Sequence, residues 1–310
     1  MPEGQVGSMI PKDQARKERN GVELRKKLGV IGLSIATAVF LTVFKVTVGL
    51  WSRSLGLIAS AMDSLMDVLV SSVNWLAIRE AGKPADHDHL YGHGKIESLA
   101  GLFQSLIISA SGLYLIFESV RRIFRGAELT HLSVAIGVMI VSMGFTFLLV
   151  LQLKRVGRET SSIIVKTETL HFTTDFLSNG GVIAALFLVR WTGSILWDLA
   201  VAFVIACYIL YRSFQILKSS MDELLDRALP LEEQKQIEQI ILTHDPRIVG
   251  FHNLRTRKIG QQRFIDFHFE IRGEENFARA HELTESLIKH IQSQFPDADV
   301  TVHFDPEGGE

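Results

Sequence analysis

Residues 56–77 read GLIASAMDSLMDVLVSSVNWLA, a stretch long and apolar enough to cross a bilayer as a helix, with two carboxylates inside it. A spanning helix needs about 20 mostly apolar residues, because it rises about 1.5 Å per residue through a core roughly 30 Å thick. Asp63 and Asp67 lie well inside the stretch. An ionised group at that depth costs at least about 3 kcal/mol unless it faces a cavity or a partner. The i, i+4 spacing puts both carboxylates on one helix face, one turn apart. A second stretch, IIVKTETLHFTTDFLSNGGVIAALFLV, repeats the arrangement with His171 and Asp175. Three carboxylates and an imidazole make a tetrahedral donor set for a divalent metal ion. The competing reading is a polar seam between packed helices. It would hold two anionic pairs in hydrocarbon without a cation, and that cost argues against it.

Four more apolar segments accompany these two, so the six run at 29–51, 56–79, 97–119, 131–153, 162–190 and 195–217. The chain is 47% hydrophobic and 21% charged, with mean hydropathy +0.22. That is too apolar for a soluble protein of this size and too charged to be membrane throughout. The expected organisation is a charged arm over 1–27, a six-helix membrane domain over 28–220 and a soluble domain over 221–310. No basic patch points to nucleic acid. The single cysteine, Cys207, excludes an internal disulfide and a thiolate metal site. No small-residue cleavage site follows the basic arm, so no removable signal is read. Lys and Arg crowd the arm and the second and fourth connections, which predicts both termini on the cytoplasmic side. Arg121, Arg122 and Arg125 in the third connection run against that rule, while Arg53 and Arg190 are nearly alone in the first and fifth. Lys45, in the outer half of its span, is expected to reach the interface with its head group. In this frame Asp67 lies roughly 15 Å deep, His171 roughly 12 Å and Asp175 roughly 18 Å, so the pairs can meet.

Beyond about residue 222 the hydropathy drops. An amphipathic helix over 231–244 precedes strands over 248–258 and 263–273, with Gly260 as the hairpin signal. A second amphipathic helix, 276–295, leads to a strand at 298–306. The order αββαβ predicts a small α+β domain with both helices on one face of a sheet. At roughly 85 residues such a domain gains from pairing with a second copy. Alternation puts Ile265, Phe267, Phe269 and Ile271 on one face and Asp266 and His268 on the other. Val300, Val302 and Phe304 likewise oppose His303 and Asp305. His268, His303 and Asp305 therefore leave the apolar face together, with His252 and His281 as nearby candidates. His131, His244 and His290 read as ordinary surface or boundary residues. In the connection KPADHDHLYGHGKIES, Asp86, His87, Asp88, His89 and His93 fall close together. That density suits a nitrogen and oxygen metal site, and composition alone does not separate the five from a solvated polar loop.

From about residue 25 to 306 the chain resembles the cation diffusion facilitators, and closely the YiiP-type zinc exporters of bacteria. The resemblance rests on Asp63/Asp67, His171/Asp175, PADHDHLYGHGK and the HNLRTR, FHFE and VHFDP segments. It implies a homodimer with six spans per chain and a metallochaperone-like soluble domain, in a bacterial inner membrane. It implies a transport site from Asp63, Asp67, His171 and Asp175, and a loop site from Asp86, His89 and His93. It implies a binuclear cytoplasmic site from His252, His268, His281, His303 and Asp305, and a charge interlock between Lys95 and Asp226. The function expected is proton-coupled efflux of a divalent transition metal by alternating access. Zn2+ is the expected cargo, with Cd2+, Fe2+ and Co2+ the alternatives. Protons, the lipid bilayer and a second copy of the chain are the other expected partners. An imidazole suits zinc better than magnesium or calcium, and metal binding must displace ligand protons. An enzyme is not expected: an intramembrane metallohydrolase would need an open metal position and a spare general base. A membrane metal sensor would leave the midspan ligands unexplained.

Overall fold

The computed structural model describes residues 12–52, 55–125, 132–194, 196–260, 262–272 and 276–308. The beginning of the arm (1–11), Arg53 and His131 lie outside these residues. The chain divides into two compact units, Met1–Met221 and Asp222–Glu310. The first is built from α1 (Lys12–Trp51), α2 (Leu55–Ala81), α3 (Lys95–Arg125), α4 (Leu132–Thr160), α5 (Ile163–Thr192) and most of α6 (Leu196–Leu224). Among the described residues six helices are long and apolar enough to cross a membrane. The helix α5 shows how its ends are set. Ser162 caps the start, its side chain accepting from the Val165 amide at 3.2 Å. Gly193 closes the end at φ +73°, a left-handed conformation that glycine adopts without steric penalty.

Lipid tails offer no hydrophobic drive for helix association, so the helices join through small residues and polar contacts. A side chain at Gly101 would collide with Ile163, and one at Gly181 with Ile205. Ser213 donates to the Ser105 carbonyl at 2.5 Å, and Ser109 donates to Ser213 at 3.0 Å, tying α3 to α6. At one end of the bundle Lys27 meets Glu23 at 2.8 Å and Glu97 at 3.2 Å, so α1 is pinned to the start of α3. Lys45 departs from expectation. It is only 9% exposed, and its Nζ donates to Ser64 Oγ at 2.8 Å and the Ser60 carbonyl at 3.3 Å. Polar acceptors one helix away hold it within the bundle instead of letting it reach the interface.

The second unit contains α7 (Leu231–His244), β1 (Ile248–Ile259), β2 (Gln262–Ile271), α8 (Phe277–Gln294) and β3 (Ala298–Pro306). The sheet order is β1-β2-β3, with β1 antiparallel and β3 parallel to the central β2. The parallel pair needs a crossover, which α8 supplies. Ile265, Phe267, Phe269 and Ile271 pack with Ile237 and Ile241 of α7 and Leu283, Leu287 and Ile291 of α8. That is the expected layer of two helices on one sheet face. Two bulges interrupt β1, at Ile248/Gly250 and at His252/Arg255, and Asn253 sits in the second at φ +55°. Each extra residue shifts the alternation by one, so His252 and Arg255 both oppose residues of the face away from the helices.

Phe269 has no exposed surface. Phe269→Ala should therefore destabilise this unit by about 3–5 kcal/mol. Hydrogen exchange on the full-length protein should show β2 and α8 amides losing protection while α1 to α5 keep theirs. Unchanged protection in β2 would refute the assigned core.

Candidate metal centres

Among the described residues three groups of His and Asp side chains converge closely enough to share an ion. The first joins α2 to α5. His171 Nε2 lies 3.0 Å from Asp67 Oδ1 and 3.8 Å from Asp175 Oδ2. His171 and Asp67 are 19% and 20% exposed. Ligands about 2.0–2.1 Å from a tetrahedral zinc stand about 3.3 Å apart, so the two spacings bracket what an ion needs. The i, i+4 step on α5 brings His171 and Asp175 to one side, and antiparallel packing presents Asp67 to them. Asp63, the fourth expected member, lies one turn along α2, exposed and outside the converging three.

The second group is in the connection between α2 and α3, from Asp86, His89 and His93. Asp86 Oδ1 accepts from the His89 amide at 2.8 Å and the Asp88 amide at 3.1 Å. These bonds favour the charged carboxylate and hold it below its usual range. Asp86 Oδ2 lies 3.2 Å from His93 Nε2, and the His89 and His93 rings are 4.6 Å apart. His87 and Asp88 are exposed and stand outside the group.

The third group is on the open face of the sheet. His252 pairs with His268 across β1 and β2, and His268 with His303 across β2 and β3, giving a row of three imidazoles. Asp305 Oδ2 lies 3.1 Å from His268 Nδ1 and 3.3 Å from His252 Nε2, while its Oδ1 lies 3.0 Å from His303 Nδ1. One carboxylate thus faces two sets of histidine nitrogens. Glu270, absent from the sequence expectation, lies 3.3 Å from His252 Nδ1. His281 is on α8, its ring stacked on Phe277 at 6.5 Å, and does not join the converging three.

Residues 31–225 match the family model of the cation efflux transmembrane domain, and residues 229–307 match that of the cation efflux protein cytoplasmic domain. The chain belongs to the cation efflux family. The cation-efflux pump FieF of Shewanella oneidensis is 39% identical over 273 residues, 88% of this chain and 92% of that protein. The cation-efflux pump FieF of Pectobacterium atrosepticum is 40% identical over 273 residues, covering 87% and 90%. A solved structure described as "Mode of Action of a Putative Zinc Transporter CzrB" covers 26% of this chain and 99% of its own, with 33% identity and TM-score 0.25. The chain is therefore a multi-pass membrane transporter of metal cations, not an enzyme, and the hydrolase alternative falls.

Within this cation efflux protein one polar centre escaped the sequence reading. Glu168 of α5 is fully buried. It accepts from Ser71 Oγ at 2.5 Å, Asn74 Nδ2 at 2.5 Å and Gln104 Nε2 at 3.3 Å, joining α2, α3 and α5. Asn74 also donates to Gln104 at 3.0 Å. The signal was present in α2: Ser60, Ser64, Asp67, Ser71 and Asn74 recur at alternating steps of four and three. That is a single helix face, read as a polar seam instead of the usual apolar one. Lys45 meets Ser60 and Ser64, His171 meets Asp67, and Glu168 meets Ser71 and Asn74. Removing the carboxylate would leave buried donors unpaired, at about 1–3 kcal/mol each. Glu168→Leu should lower the melting temperature of the detergent-purified protein by at least about 5 °C. A variant melting with the parent protein would show that α2 and α5 are held elsewhere.

Proposed function

We propose that this transporter exports Zn2+ from the cytoplasm in exchange for protons. The observation that carries the reading is the meeting of Asp67, His171 and Asp175 inside the spans of α2 and α5. Its donor set, two carboxylates and an imidazole with Asp63 one turn away, suits zinc. Asp63 completes the coordination when the cargo is bound. The helices then rock around the site and open it to one side and the other. Both termini and the soluble unit face the cytoplasm of a bacterial inner membrane, in accord with the basic arm and connections. Two copies pair, and the small soluble unit is stabilised by that pairing. Asp86, His89 and His93 hold a second ion, and His252, His268, His281, His303 and Asp305 hold cytoplasmic ions that favour the transporting arrangement.

Each transport ligand lacks a substitute. Asp67→Ala and Asp175→Ala should lower zinc flux into vesicles by at least about 100-fold while leaving the protein folded, as removal of one anionic ligand from a small donor set implies. Near-normal flux at saturating zinc from either variant would overturn the assignment.

Proton coupling follows from the ligands. An imidazolium has no lone pair for a metal, so proton and zinc exclude each other at His171. A free imidazole titrates near pH 6.5, within reach of physiological change. With the loop and sheet sites removed, zinc affinity should weaken as pH falls from about 7.5 to about 5.5, and export should quicken when the receiving side is acidified. Affinity flat across that window, with no proton movement during transport, would favour facilitated diffusion.

A further inference from the structure

The proposed function leaves Lys45 without a role, although it is buried within the span of α1. Its side chain crosses from α1 to α2, where Ser64 Oγ accepts at 2.8 Å and the Ser60 carbonyl at 3.3 Å. Ser64 stands beside Asp63 and one turn from Asp67, so the ammonium is anchored on the same seam as the carboxylates. Asp67, Asp175 and Asp63 are all within its electrostatic reach, yet none bonds to it directly. Both of its partners accept from it, which suits an ammonium with protons to donate. Glu168 lies further along the seam, its carboxylate solvated by three neutral donors from α2 and α3 and still anionic.

We infer that Lys45 is a built-in counter-ion of the metal site, setting its charge to suit a divalent cargo and keeping its affinity low enough for release. Asp63, Asp67 and Asp175 carry three negative charges, Lys45 returns one, and a neutral His171 adds none. The ligands and Lys45 together carry two negative charges, the amount a divalent ion cancels, and Glu168 adds its field from further along the seam. Without Lys45 the ion would sit in an over-anionic cage, bound tightly and released slowly. A serine hydroxyl and a carbonyl hold the lysine beside the ligands without letting it occupy the ion's place. At an effective dielectric near 20, a nearby unit charge alters the binding of a divalent ion by more than about tenfold.

The inference rests on the reading of Asp67, His171 and Asp175 as the transport site, and the experiment separates the two. Lys45→Met, Lys45→Gln, Lys45→Arg and Asp175→Ala are made in the full-length protein, with the loop and sheet sites removed in every sample. Equilibrium zinc binding and zinc flux in vesicles are measured for each folded variant. Lys45→Gln keeps a donor for Ser64 and serves if Lys45→Met does not fold. The neutral variants should bind zinc at least about tenfold more tightly and turn over more slowly, while Lys45→Arg should bind as the parent does. A purely structural lysine would give unchanged or weaker binding in the neutral variants, and that result overturns the inference. If Asp175→Ala transports normally, the transport-site reading itself fails. If Asp175→Ala is inactive and the neutral lysine variants bind no more tightly, only the counter-ion role is lost.

Discussion

Charge buried at membrane depth governs the first unit. Hydrocarbon does not solvate ions, so every charged group inside the bundle must be met by protein. The chain meets this demand along one stripe of α2. Its serines, its aspartate and its asparagine receive a lysine from α1, an imidazole from α5 and a glutamate also from α5. The order of these partners fixes the antiparallel register of α2 against both neighbours. Sliding α2 by one turn would misplace all three at once. The proposed transport site is thus the middle of a longer polar ladder, and its geometry is held from both ends.

Legibility in the sequence followed the strength of each physical signal. Six apolar runs and the period-two pattern of 263–271 left few alternatives, because hydrophobic periodicity is a strong constraint over such lengths. Paired metal-donor side chains at i, i+4 were equally plain, and Asp67, His171 and Asp175 do converge. Lys45 misled because length and position in a span say where a lysine could reach, not what waits on the neighbouring helix. Glu168 was hidden by its surroundings, since its partners come from two distant helices and none is charged. Strand β1 was harder again. Two bulges break its alternation, so no single period sorts its faces, and only the pairing with β2 places His252 beside His268.

The connection between α2 and α3 illustrates a different limit. Five polar residues crowd it, and composition does not rank them. Backbone geometry does: the Asp86 carboxylate turns back onto the amides of His89 and Asp88, and this small turn directs it towards His93. His87 and Asp88 are carried outward by the same turn. A sequence shows which donors are available, and the local fold chooses among them.

The histidine row on the sheet has a consequence for chain entropy. Its members come from three different strands, about 16 and 35 residues apart along the chain, so an ion spanning the row would act as a clasp across the whole sheet. Closing loops of that length in the unfolded chain is costly, by a logarithm of their length. An ion that binds only the folded row would therefore convert metal concentration into mechanical cohesion of the two outer strands with the central one. The parallel strand β3 is tied to β2 through a long helical crossover, unlike the hairpin partner β1. Asp305 near its end is the residue that touches all three histidines.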